Sequence, residues 1–136
     1  MIWLLDTNTL AYLINRSPGA ERIKRRLSGR SPGEVRLSAI TLSEVQYGLA
    51  CGDVSLERRE AFGELLDLFQ AEDYPAAAAR DFGEIRAALE RGGKAIGPYD
   101  LLIAAHARHI RAILVTNNER EFRRVPGLSV QNWLKP

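Results

Sequence analysis

The sequence predicts an α/β fold in which a short parallel sheet is covered by helices, and three observations predict it. Four short apolar runs, "MIWLL", "VRLS", "AILVT" and "LSVQNW", recur along the chain. They are too brief for helices and have the β-branched and aromatic content of buried strands. The segments between them carry helical periodicity, and strands alternating with helices argue for a parallel sheet in a layered domain. The chain has 136 residues, enough for one domain (residues 1–136) with a proper core, and contains no repeat, low-complexity tract or linker.

Taken in order, "MIWLL" ends at Asp6, and "NTLAYLI" then takes helical spacing with Asn8 available as its N-cap. "AERIKRRLSG" reads as a short basic helix stopped by Gly29, and "SPGE" as a turn before the strand "VRLS". "TLSEVQYGLACG" is a helix ended by Gly52. Phe62, Leu65, Leu66 and Phe69 fall at i, i+3, i+4 and i+7 of an amphipathic helix. Beyond "EDYPAA", Ala78, Phe82, Ile85 and Leu89 keep similar spacing in a second one. "RGGKAIGP" leads into the apolar helix "YDLLIAAHARHI", with Pro98 suited to its first turn. "AILVT" is the third strand and "LSVQNW" the fourth, with Phe122 and Trp133 expected in the core.

Composition narrows the class. Hydrophobic residues make up 46% and charged residues 26%, as in ordinary globular proteins. The longest apolar run, Leu101 to Ala105, is far too short to cross a bilayer, and "MIWLLDTNTL" lacks the basic start of a signal peptide. The single Cys51 excludes an internal disulfide and a cysteine metal cluster, and reads as a small buried residue. The chain therefore reads as cytoplasmic. The net charge of +2 is too small to imply a nucleic-acid partner by itself. Its distribution is more informative: residues 53–90 hold ten acids against four arginines, while the remainder holds fifteen basic residues against seven acids. "RIKRRLSGR" and "REFRR" are the densest basic stretches; they are either solvated helix faces or phosphate contacts through Arg22, Lys24, Arg25, Arg26, Arg120, Arg123 and Arg124.

In open parallel sheets, function gathers where strands end and helices begin. Asp6 directly follows the first strand, Glu44 lies early in the helix after the second, Asp100 begins the apolar helix, and Asn118 follows the third strand, with Glu119 and Glu121 close behind. A purely local role exists for each. Asp100 would complement a helix dipole, "TLSE" matches a capping box through Thr41 and Glu44, Asp6 would end a strand, and Asn118 would make a turn. Three acids on one rim, however, repel one another and need a proton or a cation. With oxygen ligands and no cysteine or histidine nearby, Mg²⁺ or Mn²⁺ is the natural cation, and phosphodiester hydrolysis the natural chemistry. His106 and His109, on the helix after Asp100, read as surface or internally satisfied residues.

The stretches "LLDTNTLAYLI", "LSAITLSEVQYGL", "IGPYDLLIAAHA" and "LVTNNEREFRRVPGLSVQNW" together resemble the PIN-domain ribonucleases, and among them the VapC-type toxins of bacterial toxin–antitoxin pairs. The resemblance spans most of the chain, in the family's order. It implies a three-layer α/β/α fold with four to five parallel strands and a Mg²⁺- or Mn²⁺-dependent endoribonuclease leaving 5′-phosphate and 3′-hydroxyl ends. Asp6, Glu44 and Asp100 would be its metal-binding acids. Thr7 and Thr116 would position water or phosphate, and Asn8 would fix the loop carrying Asp6. It further implies a VapB-like antitoxin that holds the enzyme inactive, a homodimer through the helices of residues 8–52, DNA contact only through the antitoxin, and structured RNA (tRNA or rRNA) as substrate. The second half of the chain resembles enterobacterial members, which implies initiator tRNA cut in its anticodon loop. One departure stands out: many family members carry a fourth acid where this chain has Asn118, which remains a candidate catalytic residue that would accept a hydrogen bond or bind metal through its carbonyl, while Glu119 or Glu121 would supply the missing carboxylate.

Two other classes are compatible with parts of the pattern. "LLDTNT" resembles the strand-end motif of haloacid-dehalogenase-type phosphatases, but Asn8 stands where that chemistry needs a second acid, and Lys24, Lys94 and Lys135 are the only lysines. The other is a catalytically weak module whose acids cap elements and whose task is to bind the antitoxin and operator complex; Asn118 is the feature that favours it.

Overall fold

In the computed structural model, which describes all of residues 1–136, five strands form one parallel sheet in the order β3-β2-β1-β4-β5. The strands are β1 (Trp3–Leu5), β2 (Val35–Ser38), β3 (Gln70–Glu72), β4 (Ile113–Val115) and β5 (Ser129–Gln131). The helices are α1 (Thr7–Asn15), α2 (Ala20–Leu27), α3 (Ala39–Ala50), α4 (Leu56–Leu68), α5 (Ala78–Arg91), α6 (Pro98–His109) and the single turn α7 (Glu119–Phe122). The central strand β1 pairs with both β2 and β4, so that Leu5 stands level with Leu37 on one side and Val115 on the other.

Alternation along the strands divides the core into two layers. Leu4 and Leu114 point to one face and meet Ile85 and Leu89 of α5 and Leu101, Ile103 and Ala104 of α6. Leu5, Leu37 and Val115 point to the other and meet Leu10, Leu13 and Ile14 of α1, Ile23 of α2, Phe62 of α4 and Trp133. Phe122 and Trp133 are both almost wholly buried, as expected. The abundance of alanine in α6 lets that helix lie close against the sheet, and it is the most thoroughly buried helix of the fold.

Three local expectations need correction. The N-cap of α1 is Asp6, not Asn8: Asp6 has extended backbone angles and accepts a hydrogen bond from the Thr9 N–H at 2.8 Å, whereas Asn8 lies exposed within the helix. "TLSE" is not a capping box, because α3 begins at Ala39 with Ser38 as its cap, which leaves Thr41 and Glu44 inside the helix. Cys51 is exposed at the C-cap of α3, not buried. The fifth strand, β3, was not among the four apolar runs. It lies at the sheet edge with two exposed residues and exists by pairing with β2, where Leu37 stands level with Ala71.

Candidate active site

In the order β3-β2-β1-β4-β5, consecutive connections run one way from β1 and the other way to β4, so the topological switch lies between β1 and β4. Asp6 leaves the carboxyl end of β1 and Thr116 leaves that of β4, which puts both at this crevice. Asp6 is buried and firmly held. Its N–H donates to Val115 O at 3.0 Å, and its carboxylate takes the Thr9 N–H. The Thr9 hydroxyl in turn donates to the same Val115 carbonyl at 3.1 Å. Thr9 is therefore a supporting residue that sequence reasoning missed; its signal is the Asp-x-x-Thr spacing of an N-cap and the third helical residue.

Burial raises the pKa of Asp6 and repulsion from Glu44 adds to it, against hydrogen bonds from Thr116 and Thr9 that favour the carboxylate. Glu44 is set by α3, one turn on from Thr41, and accepts from the Thr7 hydroxyl at 2.6 Å. Thr7 also lies 3.4 Å from the Thr41 hydroxyl, so this bond ties the start of α1 to α3. Asp100 sits in the first turn of α6, where Gly97 and Pro98 begin the helix. Its pKa is pushed up to about 6, first by burial, then by the charges of Glu44, Asp6 and Glu121. No basic side chain offsets these effects. The opposite is true of the surface acid Asp81, where Arg108 and His109 hold the carboxyl below its usual range.

The residues after β4 sort themselves clearly. The Asn118 N–H donates to the Thr116 hydroxyl at 2.9 Å, and its side-chain nitrogen donates to Glu121 Oε2 at 3.1 Å. Glu121 thus faces the acids and adds to the charge felt by Asp100. Glu119 faces away: Lys135 at 2.6 Å, Arg123 at 2.9 Å and Asn132 at 3.2 Å engage it and lower its pKa to about 2. Of the basic residues, Arg120 is exposed, Arg124 reaches Ala95 O at 3.5 Å, and Arg22, Lys24, Arg25 and Arg26 lie exposed on α2. None of them neutralises Asp6 or Asp100.

The donor set suits a hard divalent cation: carboxylates on four separate elements, with hydroxyls between them and no thiol or imidazole among the groups acting on Asp6 or Asp100. His106 is buried with Nδ1 2.8 Å from Ser38 Oγ, and His109 bonds Asp81. No three of the acids close tightly enough to enclose an ion unaided. Mg²⁺ is ordinarily held by one or two carboxylates with water completing the shell, and Asp6 and Asp100 with Glu44 or Glu121 behind them fit that habit.

Residues 3–128 match the family model of the PIN domain. The chain is 37% identical over 135 residues to ribonuclease VapC2 of Rickettsia felis, covering 99% of this chain and 100% of that protein. It is 40% identical over 134 residues to the tRNA(fMet)-specific endonuclease VapC of Shigella flexneri, covering 96% and 97% respectively. Among solved structures, VapBC2 from Rickettsia felis bound to a DNA fragment from its promoter matches with a TM-score of 0.87 at 36% identity, over 98% of this chain and 99% of that one. With Asn8 exposed on α1 and no lysine among the groups acting on Asp6 or Asp100, the phosphatase reading lapses. A parallel sheet in the order 3-2-1-4-5, acids at its switch point and matches across nearly the whole length lead to one conclusion: this chain belongs to the PIN-domain family and, within it, to the VapC ribonucleases.

Proposed function

We propose that this protein is a divalent-cation-dependent endoribonuclease, the toxin of a VapBC-type pair, with Asp6, Glu44 and Asp100 as its catalytic acids and Glu121 completing the site in the place that Asn118 leaves uncharged. The observation that carries the reading is the convergence of Asp6, Glu44, Asp100 and Glu121 from four elements on one cleft, where their mutual repulsion and burial push the Asp100 pKa up to about 6 and no cation of the chain answers them. Such a cluster is costly to assemble and is stabilised by a bound metal ion.

The chain's own groups prepare the site. Asp6 is fixed in one orientation by the Thr9 N–H, and Thr116 holds its hydroxyl against it. Glu44 is aligned by Thr7, and Glu121 by the Asn118 amide, so Asn118 serves as a positioning residue. Asp100 carries no such tether and would be the acid whose proton a bound cation replaces. Mg²⁺ or Mn²⁺, when bound, supplies polarisation of a phosphodiester and a water of lowered pKa, chemistry that leaves 5′-phosphate and 3′-hydroxyl ends. On this reading Glu44 would accept the proton and Thr7 would orient the nucleophile, a division that their 2.6 Å bond supports.

The relatives' names support a substrate and a partner for this reading. The Shigella flexneri protein is named for tRNA(fMet), which supports initiator tRNA as the substrate here. The Rickettsia felis complex supports a VapB-like antitoxin that carries DNA contact. No helix is long and apolar enough to cross a membrane, and RNA cleavage that halts translation belongs in the cytoplasm. The test is incubation of the antitoxin-free chain with total tRNA and rRNA, with Mg²⁺, with Mn²⁺ or with chelator, followed by sequencing of the new ends. Cleavage at one tRNA position, abolished by chelator and by Asp6→Asn, is expected; intact RNA under every condition rejects the enzyme in favour of the binding-module reading.

A further inference from the structure

Uncompensated positive charge is densest on α2. Its one acid, Glu21, pairs with Lys24 at 3.3 Å, and Arg22, Arg25 and Arg26 have no carboxylate partner. These three stand at i, i+3 and i+4, neighbours on one helix face, where like charges repel. They open onto a recess of about 240 Å³ that they share with Trp133, Lys135 and Pro136. The opposite wall is the segment after β5. Arg22 clips it through a 2.8 Å bond to Leu134 O, and Lys135 reaches across to Glu119 at the start of α7. The recess contains none of the cleft acids, and the Lys135–Glu119 pair ties its wall to α7, the helix that carries Glu121.

Stacking orders one arginine of the recess, Arg26, and its neighbour Arg30 behind it. Arg26 lies 6.0 Å from the centre of the Trp133 ring, and Arg30 packs 4.9 Å from the same ring and 4.2 Å from that of Trp3. A guanidinium laid on an indole keeps its N–H edge available for oxygens in its own plane, the geometry of a bidentate phosphate contact. An acidic peptide would also want an apolar anchor, and none is offered, since Trp133 is only 1% exposed.

We propose that this recess is a second phosphodiester-binding site, which grips the sugar–phosphate backbone of a folded RNA away from the bond that is cut. The proposal rests on the ribonuclease reading and adds to it: RNA backbone reaching both the acids and α2 favours a folded substrate over a short single strand.

The test is binding of a dye-labelled initiator tRNA in chelator, where no cleavage occurs, measured as a function of salt. R25Q/R26Q leaves the Arg22–Leu134 clip intact, and a melting curve matching the parent's verifies its fold; R22Q/R25Q/R26Q extends the series. The double variant is expected to bind about tenfold more weakly at ~0.1 M salt, with the slope of log affinity against log salt flattened by about 1 to 2. Affinity and slope within twofold of the parent overturn the proposal, as does a variant that keeps tRNA but loses the antitoxin. Cleavage of the same tRNA by the parent with Mg²⁺ is scored separately. Its absence rejects the ribonuclease reading, whereas unchanged binding rejects the recess even when cleavage is robust.

Discussion

Asp6 does two tasks at once, and they are separable. It caps α1 by accepting the Thr9 N–H, and it supplies charge to the cleft. Asparagine caps a helix as well as aspartate does. Asp6→Asn is therefore expected to change unfolding free energy by less than about 1 kcal/mol while lowering RNA cleavage at least ~100-fold; denaturant titration and a tRNA cleavage assay read the two effects independently. Asp100 caps nothing, and its charge meets only other acids. Asp100→Asn is expected to raise the melting temperature of the metal-free protein at pH 7.5 and to abolish cleavage. A loss of stability on that substitution would mean that the carboxylate serves the helix and not a cation.

At the scale of elements, the connection after β4 separates two neighbouring acids that the sequence left as equals. Glu121 is steered toward the cleft by Asn118, and Glu119 is bound by Lys135, Arg123 and Asn132. Glu121→Gln is expected to slow cleavage about tenfold without loosening the C-terminal segment. Glu119→Gln is expected to do the reverse, exposing residues 132–136 to limited proteolysis. The depressed pKa of Glu119 makes its contribution to stability present above its ordinary range near pH 4.5 and lost as pH falls toward about 2. Much of this architecture was legible in the residues: four apolar runs became strands, and Asp6 and Asp100 emerged at element ends, with Glu44 farther inside its helix than expected. Three things were not. β3 has no apolar run of its own and depends on β2 for its existence. Asp6 and Asn8 are both good caps, and only the point where β1 stops decides between them. The division of labour between Glu119 and Glu121 depends on Lys135 and Asn132, which return from the far end of the chain.

For the whole molecule, the parallel sheet acts as a jig that brings acids from β1, α3, α6 and α7 to one crevice, and Thr9 binds the crevice to the strand beneath it. Removing buried methyl groups from that jig should be felt globally: Leu114→Ala is expected to cost about 2–5 kcal/mol, read by denaturant unfolding. The pH response follows from Asp100. Its folded pKa, about 6, lies above the ordinary aspartate value of 3.8, so the folded state holds the proton more tightly than the unfolded chain does. This group's effect on the stability of the metal-free protein is therefore most favourable below about pH 4 and fades as pH rises through 6. A divalent cation competes for the same carboxylate, so it must displace that proton at low pH and binds more easily above 6.

Binding of Mn²⁺ to the antitoxin-free chain, followed by titration calorimetry at pH 7.5 and 5.5, bears most directly on the claim that these acids hold a metal ion. Binding at pH 7.5 that weakens at 5.5, with protons released, and that disappears in Asp6→Asn is the predicted result. Absent binding at pH 7.5, or binding indifferent to Asp6→Asn, would contradict the account.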